Sequence, residues 1–236
     1  MADEAISRAR ALKNPLPAIL SLTEGWNLNR FLRDVVRTRE HAEAAIAIGS
    51  EYGIRPLELA AIGHRAWSLV HEDRRNEGRE EIRRWMDGRW VNSLEKMGIH
   101  SKPSHLAMLV EAHLQMKQPA AGLQVLEQAL ARVEPTGERM YEPELYRLKG
   151  ELLLVQDASN AVPAEQSFRT AIEISRTQHA KSWELRATTS LAHLPAKQGK
   201  RDEARAMLAE IYNWFTEGFD TADLKDAKAR LNELSP

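Results

Sequence analysis

The sequence predicts an all-α fold, a right-handed superhelical solenoid of helix–turn–helix repeats, and three observations support this. Helix-breaking residues are few among the 236 residues, with 12 Gly and 10 Pro, and no segment sustains the period-two alternation of a strand. Turn residues such as Lys102-Pro103 and Gly199-Lys200 separate runs of helical periodicity. One pattern of small and apolar residues recurs every 33 to 44 residues, which indicates a repeat architecture.

The recurring pattern is a triplet at positions i, i+4 and i+7, which lie on one face of a helix. Its first member is Gly, Ala or Thr, because two antiparallel helices that cross closely leave room only for a small residue. The other two members are apolar and fill the groove between repeats. The six triplets are Ala5/Ala9/Leu12, Thr38/Ala42/Ala45, Gly78/Ile82/Trp85, Gly122/Leu126/Ala129, Ala164/Phe168/Ala171 and Ala204/Leu208/Ile211.

A second amphipathic run precedes each triplet after the first, and we interpret it as the first helix of a helical pair. The chain then forms one domain over residues 1–236, which opens with a half repeat over residues 3–12. The predicted hairpins cover about 17–52, 57–97, 103–134, 142–179 and 182–217, and a capping helix covers 221–234. That last helix would begin with Asp220 as its N-cap and Asp223 at its third position. Its apolar stripe consists of Leu224, Ala227, Leu231 and Leu234.

Charge and residue usage argue against several functional classes. The net charge of -1 gives no electrostatic attraction to nucleic acid or to an anionic membrane. The chain has no cysteine, which excludes disulfides and thiolate nucleophiles. We find no signal peptide and no apolar run of the ~20 residues that a membrane span needs, so we expect a cytoplasmic protein.

No motif in the sequence points to catalysis. There is no P-loop, no Gly-x-Ser-x-Gly elbow and no His-Glu-x-x-His zinc motif. The pairs His100/His105 and His64/His71 lack the three- or four-residue spacing that joint metal binding on a helix requires. The arginine-rich stretch 74–89 interleaves acids with its Arg residues, which is typical of a solvated helix and not of a nucleic-acid patch. We therefore expect neither an enzyme nor a cofactor.

The recurring pattern resembles the tetratricopeptide repeat family over nearly the whole chain, and two repeats match it best. One consists of Leu148-Lys149-Gly150 followed by the triplet that begins at Ala164, and the other of Leu109 and Pro119 followed by the triplet that begins at Gly122. Residues 136–154 and 199–225 are similar to the carboxy-terminal repeat region of bacterial signalling proteins. In those proteins a nucleotide-cyclase or DNA-binding domain precedes an ATPase module, and the repeats follow.

The resemblance implies that this chain is the sensory or docking end of a signalling protein, or a free-standing relative of one. The partner that it implies is a protein or peptide, such as a cyclase, ATPase or DNA-binding domain. Because the chain opens on the second half of a repeat, we also expect the natural protein to continue beyond its amino terminus.

In repeats of this type the first helices line a concave groove. The inward positions are the residue after the crossing residue and the residue four later, and on some helices the residue three before the crossing also qualifies. Applied to this sequence, they give Asn27, Phe31, Trp67, His71, Glu111, Gln115, Arg147, Glu151, Thr189, His193 and Lys197, with Thr23 as a further member. This mixture of aromatic, acidic and basic groups suits a peptide or helix laid along the groove.

The sequence leaves two alternatives to a peptide-binding groove open. The groove residues could be no more than exposed polar side chains. Alternatively, the chain could sense a small-molecule effector in an enclosed pocket built around Trp67, His71, Glu111 and Glu151. Protein docking remains our first prediction, because the architecture is a repeat array with no catalytic constellation.

Overall fold

The computed structural model describes residues 14–72, 74–86, 103–197 and 199–235, together with Glu4, Ser7 and Ala11. The side chains of residues 86 and 195–197 are outside this description. Throughout the described residues the secondary structure is helical, without a strand, so the all-α prediction is confirmed. The chain divides into two compact units, Met1–Ser101 and Lys102–Pro236.

The described part of the first unit consists of four helices that pack consecutively. They are α1 (Leu16–Phe31), α2 (Val35–Glu51), α3 (Arg55–His71) and α4 (Arg75–Met86). Each helix packs against the next one in the chain. The predicted second hairpin runs to residue 97, and its last part lies outside the described residues.

The second unit continues the same pattern over seven described α-helices. They are α5 (Pro103–Gln115), α6 (Pro119–Thr136), α7 (Glu142–Gln156), α8 (Ala161–Thr177), α9 (Lys181–Lys197), α10 (Arg201–Tyr212) and α11 (Ala222–Glu233), with a short 3-10 turn at Ala158–Asn160. Consecutive helices pack together, and the first helices α5, α7, α9 and α11 also pack each against the next. The first helices of this unit therefore lie side by side and form one face.

The predicted triplets form the centre of the packing. Five of the six lie in described residues, on α2, α4, α6, α8 and α10, and every member of these five is buried. A Cβ atom on Gly78 would lie 2.6 Å from the backbone nitrogen of Val70 on α3, so only a residue without a side chain fits there. The triplet Ala5/Ala9/Leu12 lies outside the described residues.

The capping helix forms, but the predicted cap at Asp220 is wrong. The helix α11 begins at Ala222, and the N-cap residue Thr221 makes no side-chain capping bond. The Thr221 hydroxyl instead donates to the Gly218 carbonyl at 2.7 Å, within a turn that Gly218 makes at a φ of 75°. Asp223 points to another helix, as described below. The predicted stripe of Leu224, Ala227, Leu231 and Leu234 does pack against α9 and α10 in the core of the second unit.

One buried histidine makes the stability of the second unit sensitive to pH. His113 is 5% exposed, and its Nε2 has no hydrogen-bond partner in the described structure, while Nδ1 lies 3.0 Å from the Gln118 side-chain oxygen. Burial lowers the pKa of His113, and the bond to Gln118 opposes this only partly. The unfolded chain therefore protonates this histidine near the ordinary histidine pKa, whereas the folded protein binds the proton only at lower pH.

We expect the free energy of unfolding to fall as the pH is lowered from 7 to 5, with His113 contributing at most about 1.4 kcal/mol per pH unit. Urea denaturation at several pH values measures this slope. His113→Gln should flatten it, whereas His179→Asn, at an exposed position, should leave it unchanged. Equal slopes in the native protein and His113→Gln would assign the pH dependence to other groups.

Candidate binding face of the first helices

Three neighbouring helices of the second unit, α7, α9 and α11, are joined by a network of charged and polar side chains, which we call the α7–α9–α11 network. It consists of Glu144, Arg147, Glu151, Arg186, Ser190 and Asp223. Glu144 is at its centre, with its side chain only 2% exposed. A carboxylate so far from water needs ionic partners, and two arginines provide them.

Arg147 binds Glu144 within α7 through one edge of its guanidinium, formed by Nε and Nη2. Its Nε donates to Oε2 at 2.8 Å and its Nη2 donates to Oε1 at 2.7 Å, a bidentate arrangement at i,i+3 spacing. Its Nη1 donates to Glu151 Oε1 at 3.4 Å and to Ser190 Oγ of α9 at 3.3 Å. Each of the three nitrogens of Arg147 therefore has a carboxylate partner on α7.

Arg186 connects α9 to both of its neighbouring first helices. Its Nη1 donates to Glu144 Oε1 of α7 at 3.4 Å, while Nε and Nη2 donate to the two oxygens of Asp223 on α11 at 3.0 and 2.6 Å. The guanidinium also lies 4.7 Å from the ring centroid of Trp183, in the geometry of a cation–π contact. Asp223 thus fastens the capping helix to α9.

The electrostatics of the network favour the charged forms of Glu144, Arg147 and Arg186. Burial acts to raise the pKa of Glu144, but the combined attraction and hydrogen bonds of Arg147 and Arg186 outweigh it and hold that pKa below the ordinary value. Burial likewise acts to lower the pKa of both arginines, and their carboxylate partners outweigh it, so both pKa values are raised. Glu111 of α5 adds to the attraction on Arg147.

Glu151 forms the solvent-facing end of the network. Its side chain is 30% exposed, and its Oε1 accepts from Ser190 Oγ at 2.6 Å and from Arg147. In the described residues Oε2 has no hydrogen bond. Ser190 and Arg147 thereby hold the carboxylate in one orientation through a single oxygen. Glu151 is therefore a partly exposed carboxylate whose orientation is set by hydrogen bonds from two helices.

A second polar contact joins α9 to α11 further along the face. Arg230 Nη2 lies 2.7 Å from His193 Nε2. Because a guanidinium can only donate, Nε2 is the acceptor and carries no proton in this arrangement. Arg230 also binds Glu233 within α11.

Most of the predicted groove residues of the second unit occupy positions consistent with a surface face. Gln115 is exposed, and Glu111, Arg147, Glu151, Thr189 and His193 are half-buried. Arg147 and Glu151 contact each other, as described above. Thr189 instead donates its hydroxyl to the Leu185 carbonyl of its own helix at 2.8 Å. The side chain of Lys197 lies outside the described residues.

In the first unit the prediction for Trp67 is wrong. Trp67 is 2% exposed, so it belongs to the packed interior and not to an open groove wall. Its ring lies 4.3 Å from that of His71, a half-buried residue whose Nδ1 is 2.8 Å from the Trp67 carbonyl oxygen. The large apolar surface of an indole accounts for this, since its burial contributes more than exposure on a groove. Of the remaining predicted residues, Asn27 is exposed, and Phe31 and Thr23 are half-buried.

Four members of the network were not predicted from the sequence: Glu144, Arg186, Ser190 and Asp223. The i,i+3 and i,i+4 spacing of Glu144, Arg147 and Glu151 is a visible signal for ion pairing within one helix. The bonds of Arg186 and Ser190 to α7 and α11 depend on how neighbouring first helices are aligned, and no local pattern encodes that.

The described residues contain no group of three side chains placed to hold a metal ion. Among the described helices, none combines the length and the apolar character that crossing a membrane requires. No protein-family model matches this chain, and no curated protein is significantly similar to it.

Proposed function

We propose that this chain is a cytoplasmic protein-interaction module of the tetratricopeptide type, with its repeats wound into a right-handed superhelix, that serves in bacterial signal transduction. Its partner is a peptide segment or a neighbouring domain, such as a cyclase, ATPase or DNA-binding domain, which binds along the first helices. The side-by-side packing of α5, α7, α9 and α11 supports this, because it builds a continuous face from regularly spaced elements.

The observation that carries the proposal is the fixed orientation of Glu151. A surface glutamate is normally free to rotate, but Ser190 and Arg147 hold this one from a neighbouring helix and from its own. A polar group that is immobilised before binding costs less entropy when a partner contacts it. Exposed Gln115 on α5 extends the same face.

Photo-crosslinking in the cell of origin tests whether this face is used. With a benzoylphenylalanine at Gln115, we expect a covalent adduct to a discrete protein. The same residue at Gln166, exposed on the second helix α8, should give none. Glu151→Lys, introduced beside the Gln115 probe, should reduce the adduct by about tenfold, since a charged hydrogen bond contributes about 1.5 to 3 kcal/mol. Equal yields at Gln115 and Gln166 would contradict the proposal.

An effector-binding function is the second candidate, and a cavity in the first unit favours it. The cavity has a volume of about 560 Å³, within the range of small-molecule sites, and lies among α2, α3 and α4. Its walls include Arg65, Arg74 and Arg84. The wall is polar, and each of these arginines is paired with a glutamate of the same wall: Arg65 with Glu81, Arg74 with Glu77 and Arg84 with Glu80.

Thermal-shift screening with charged metabolites separates the two candidates. An effector that binds this cavity should raise the melting temperature, and Arg65→Ala should abolish the rise. A flat profile across the screen would remove the effector hypothesis and leave the docking proposal unaffected.

A further inference from the structure

We infer that the exposed side of α1 is a second docking surface, which receives an amphipathic helical hairpin of another protein. This side carries Leu16, Leu20, Glu24 and Leu28, and we call it the α1 outer face. It lies in the first unit, and its role is additional to the docking function proposed for the first helices of the second unit. It corresponds to a side that the later first helices bury under their neighbours.

The α1 outer face is apolar and open to solvent. Leu16, Leu20 and Leu28 are 56%, 57% and 58% exposed, and Glu24 between the last two is exposed as well. Their spacing of four and eight residues places the leucines along one side of the helix. In the described residues α1 packs on α2 through another side, where Leu22 is buried. Contiguous exposed apolar residues of this kind mark interaction surfaces.

The equivalent positions on α7 and α9 are buried. Leu28 directly follows the predicted groove position of α1, and its equivalents are Leu152 on α7 and Leu194 on α9. These two leucines are 0% and 5% exposed. The residue three before the groove position is Glu24 on α1 and Leu148 on α7, and Leu148 is also fully buried. The helix α1 therefore exposes a side that later first helices cover.

Two preceding helices cover this side on the later first helices. Both α5 and α6 pack against α7, and both α7 and α8 pack against α9. A Cβ atom on Gly122 of α6 would lie 2.8 Å from a methyl carbon of Leu152, so a second helix lies directly over that leucine. Arg186 lies seven residues before the groove position of α9, as Leu20 does on α1, and it contacts the preceding first helix α7. The occupant that fits α1 is therefore a pair of helices, one over Leu20 and one over Leu28.

The residues of the α1 outer face indicate the chemistry of this hairpin. Where α1 has Leu20, α7 and α9 have the charged residues Glu144 and Arg186 of their network. The helix that covers Leu20 must therefore present apolar side chains, because a charged group placed against the leucines would lose water without gaining a partner. The helix that covers Leu28 needs a small residue there, as Gly122 is on α6.

A second copy of this chain does not match these requirements. The exposed residues of the capping helix α11 are polar or small: Lys225, Asp226, Lys228, Ala229, Asn232 and Glu233. They offer no apolar side to stack on α1. A symmetric pairing of two α1 helices that brings Leu20 against Leu28 would place the two Glu24 carboxylates side by side, which is repulsive. A hairpin of a different protein is therefore the occupant that we infer.

Cysteine labelling tests the inference, because the chain has no cysteine of its own and an introduced thiol is a unique reporter. Glu24→Cys places the thiol in the middle of the face and keeps its leucines, and Ala47→Cys, at an exposed position of α2, is the matched control. In the purified protein both should react with N-ethylmaleimide at similar rates. In intact cells of origin Glu24→Cys should react about tenfold more slowly, as it does when a partner occupies about 90% of the molecules, and Ala47→Cys should react as before. Adding Leu28→Asp should restore fast labelling of Glu24→Cys.

Benzoylphenylalanine at Glu24, irradiated in the same cells, identifies the occupant. We expect an adduct to a helical hairpin of a different protein, with apolar residues three and four apart. The purified partner should slow the labelling of purified Glu24→Cys, and it should not slow that of the Glu24→Cys/Leu28→Asp variant, whose fold circular dichroism verifies.

Three results would overturn the inference. Labelling of Glu24→Cys that is as fast in cells as in the purified protein would mean that the face is unoccupied. Slow labelling of the purified protein at every concentration would assign the face to residues of this chain. An adduct between two copies would assign it to self-association. None of these results bears on the adduct expected at Gln115, so the docking function of the second unit is tested separately.

Discussion

Replacing Glu144 by alanine is expected to lower the free energy of unfolding by about 3 to 5 kcal/mol, as the removal of one partner from a buried ion pair does. Glu144 is the shared partner of Arg147 and Arg186, and both arginines lie in an environment with little water. Without it, Arg147 keeps its contact with Glu151 and Arg186 keeps Asp223, but each guanidinium loses bonds that offset its own desolvation.

Urea denaturation followed by circular dichroism measures the loss. Glu165→Ala is the matched control, because Glu165 also pairs with an arginine on its own helix, Arg169, but at the surface. That pair should contribute less than about 1 kcal/mol. If Glu144→Ala and Glu165→Ala destabilise the protein equally, the network does not stabilise the second unit in the way that its burial indicates.

The same carboxylate adds an acid-sensitive contribution to stability. Because the pKa of Glu144 is held below its ordinary value in the folded protein, the unfolded chain takes up a proton at a higher pH than the folded chain. The stabilisation is therefore complete above the ordinary glutamate pKa and is lost as the pH falls through the folded-state value. This loss of stability occurs at more acidic pH than the loss caused by His113. Because the pKa of His113 is lowered in the folded protein, its effect begins once the pH falls below the ordinary histidine pKa.

The helical packing could be predicted because its cause is local and repeated. In a triplet such as Ala164/Phe168/Ala171, the spacing predicts which helix face is buried, and the small first residue predicts where two helices approach closely. All three residues are buried on α8. The amphipathic runs that precede the triplets also coincide with helices such as α7 and α9. No property of a distant residue enters the prediction of a triplet, and every member of the five described triplets is buried on a helix.

The candidate binding face was harder to predict, because its side chains are placed by contacts with residues far away in the sequence. Asp223 has the local spacing of a capping residue, yet its carboxylate binds Arg186, which is 37 residues away. Trp67 has the spacing of a groove residue, yet the gain from burying an indole places it in the interior. A local pattern predicts which residues share a helix face. It does not predict which residue of a neighbouring helix each of them contacts.

Gly150→Ala is expected to destabilise the native protein and to stabilise a variant that lacks the Phe168 ring. A Cβ atom on Gly150 would lie 2.4 Å from Cε1 and 2.7 Å from Cζ of Phe168, and Phe168 is 0% exposed. The buried ring can give way only by disturbing the packing of α7 on α8, and such overpacking costs about 1 to 3 kcal/mol.

Phe168→Ala alone should cost about 3 to 5 kcal/mol, since it removes an aromatic ring from the core and leaves a cavity. In that background the added methyl group at Gly150 meets no ring and enters the cavity. Alanine also favours a helix interior over glycine by about 1 kcal/mol, so the second substitution should raise the stability of the Phe168→Ala protein.

A double-mutant cycle, with unfolding followed in urea, measures whether the effect of Gly150→Ala on stability changes sign when the Phe168 ring is removed. The coupling between Gly150→Ala and Phe168→Ala should reach about 1 to 3 kcal/mol, as it does for residues in direct contact. Leu208→Ala provides the control: Leu208 is also fully buried, but it lies on α10, in a different core cluster, so its effect should add to that of Gly150→Ala. Additivity in both cycles would mean that α7 and α8 do not approach at Gly150, and the close crossing that defines the repeat would then lie elsewhere.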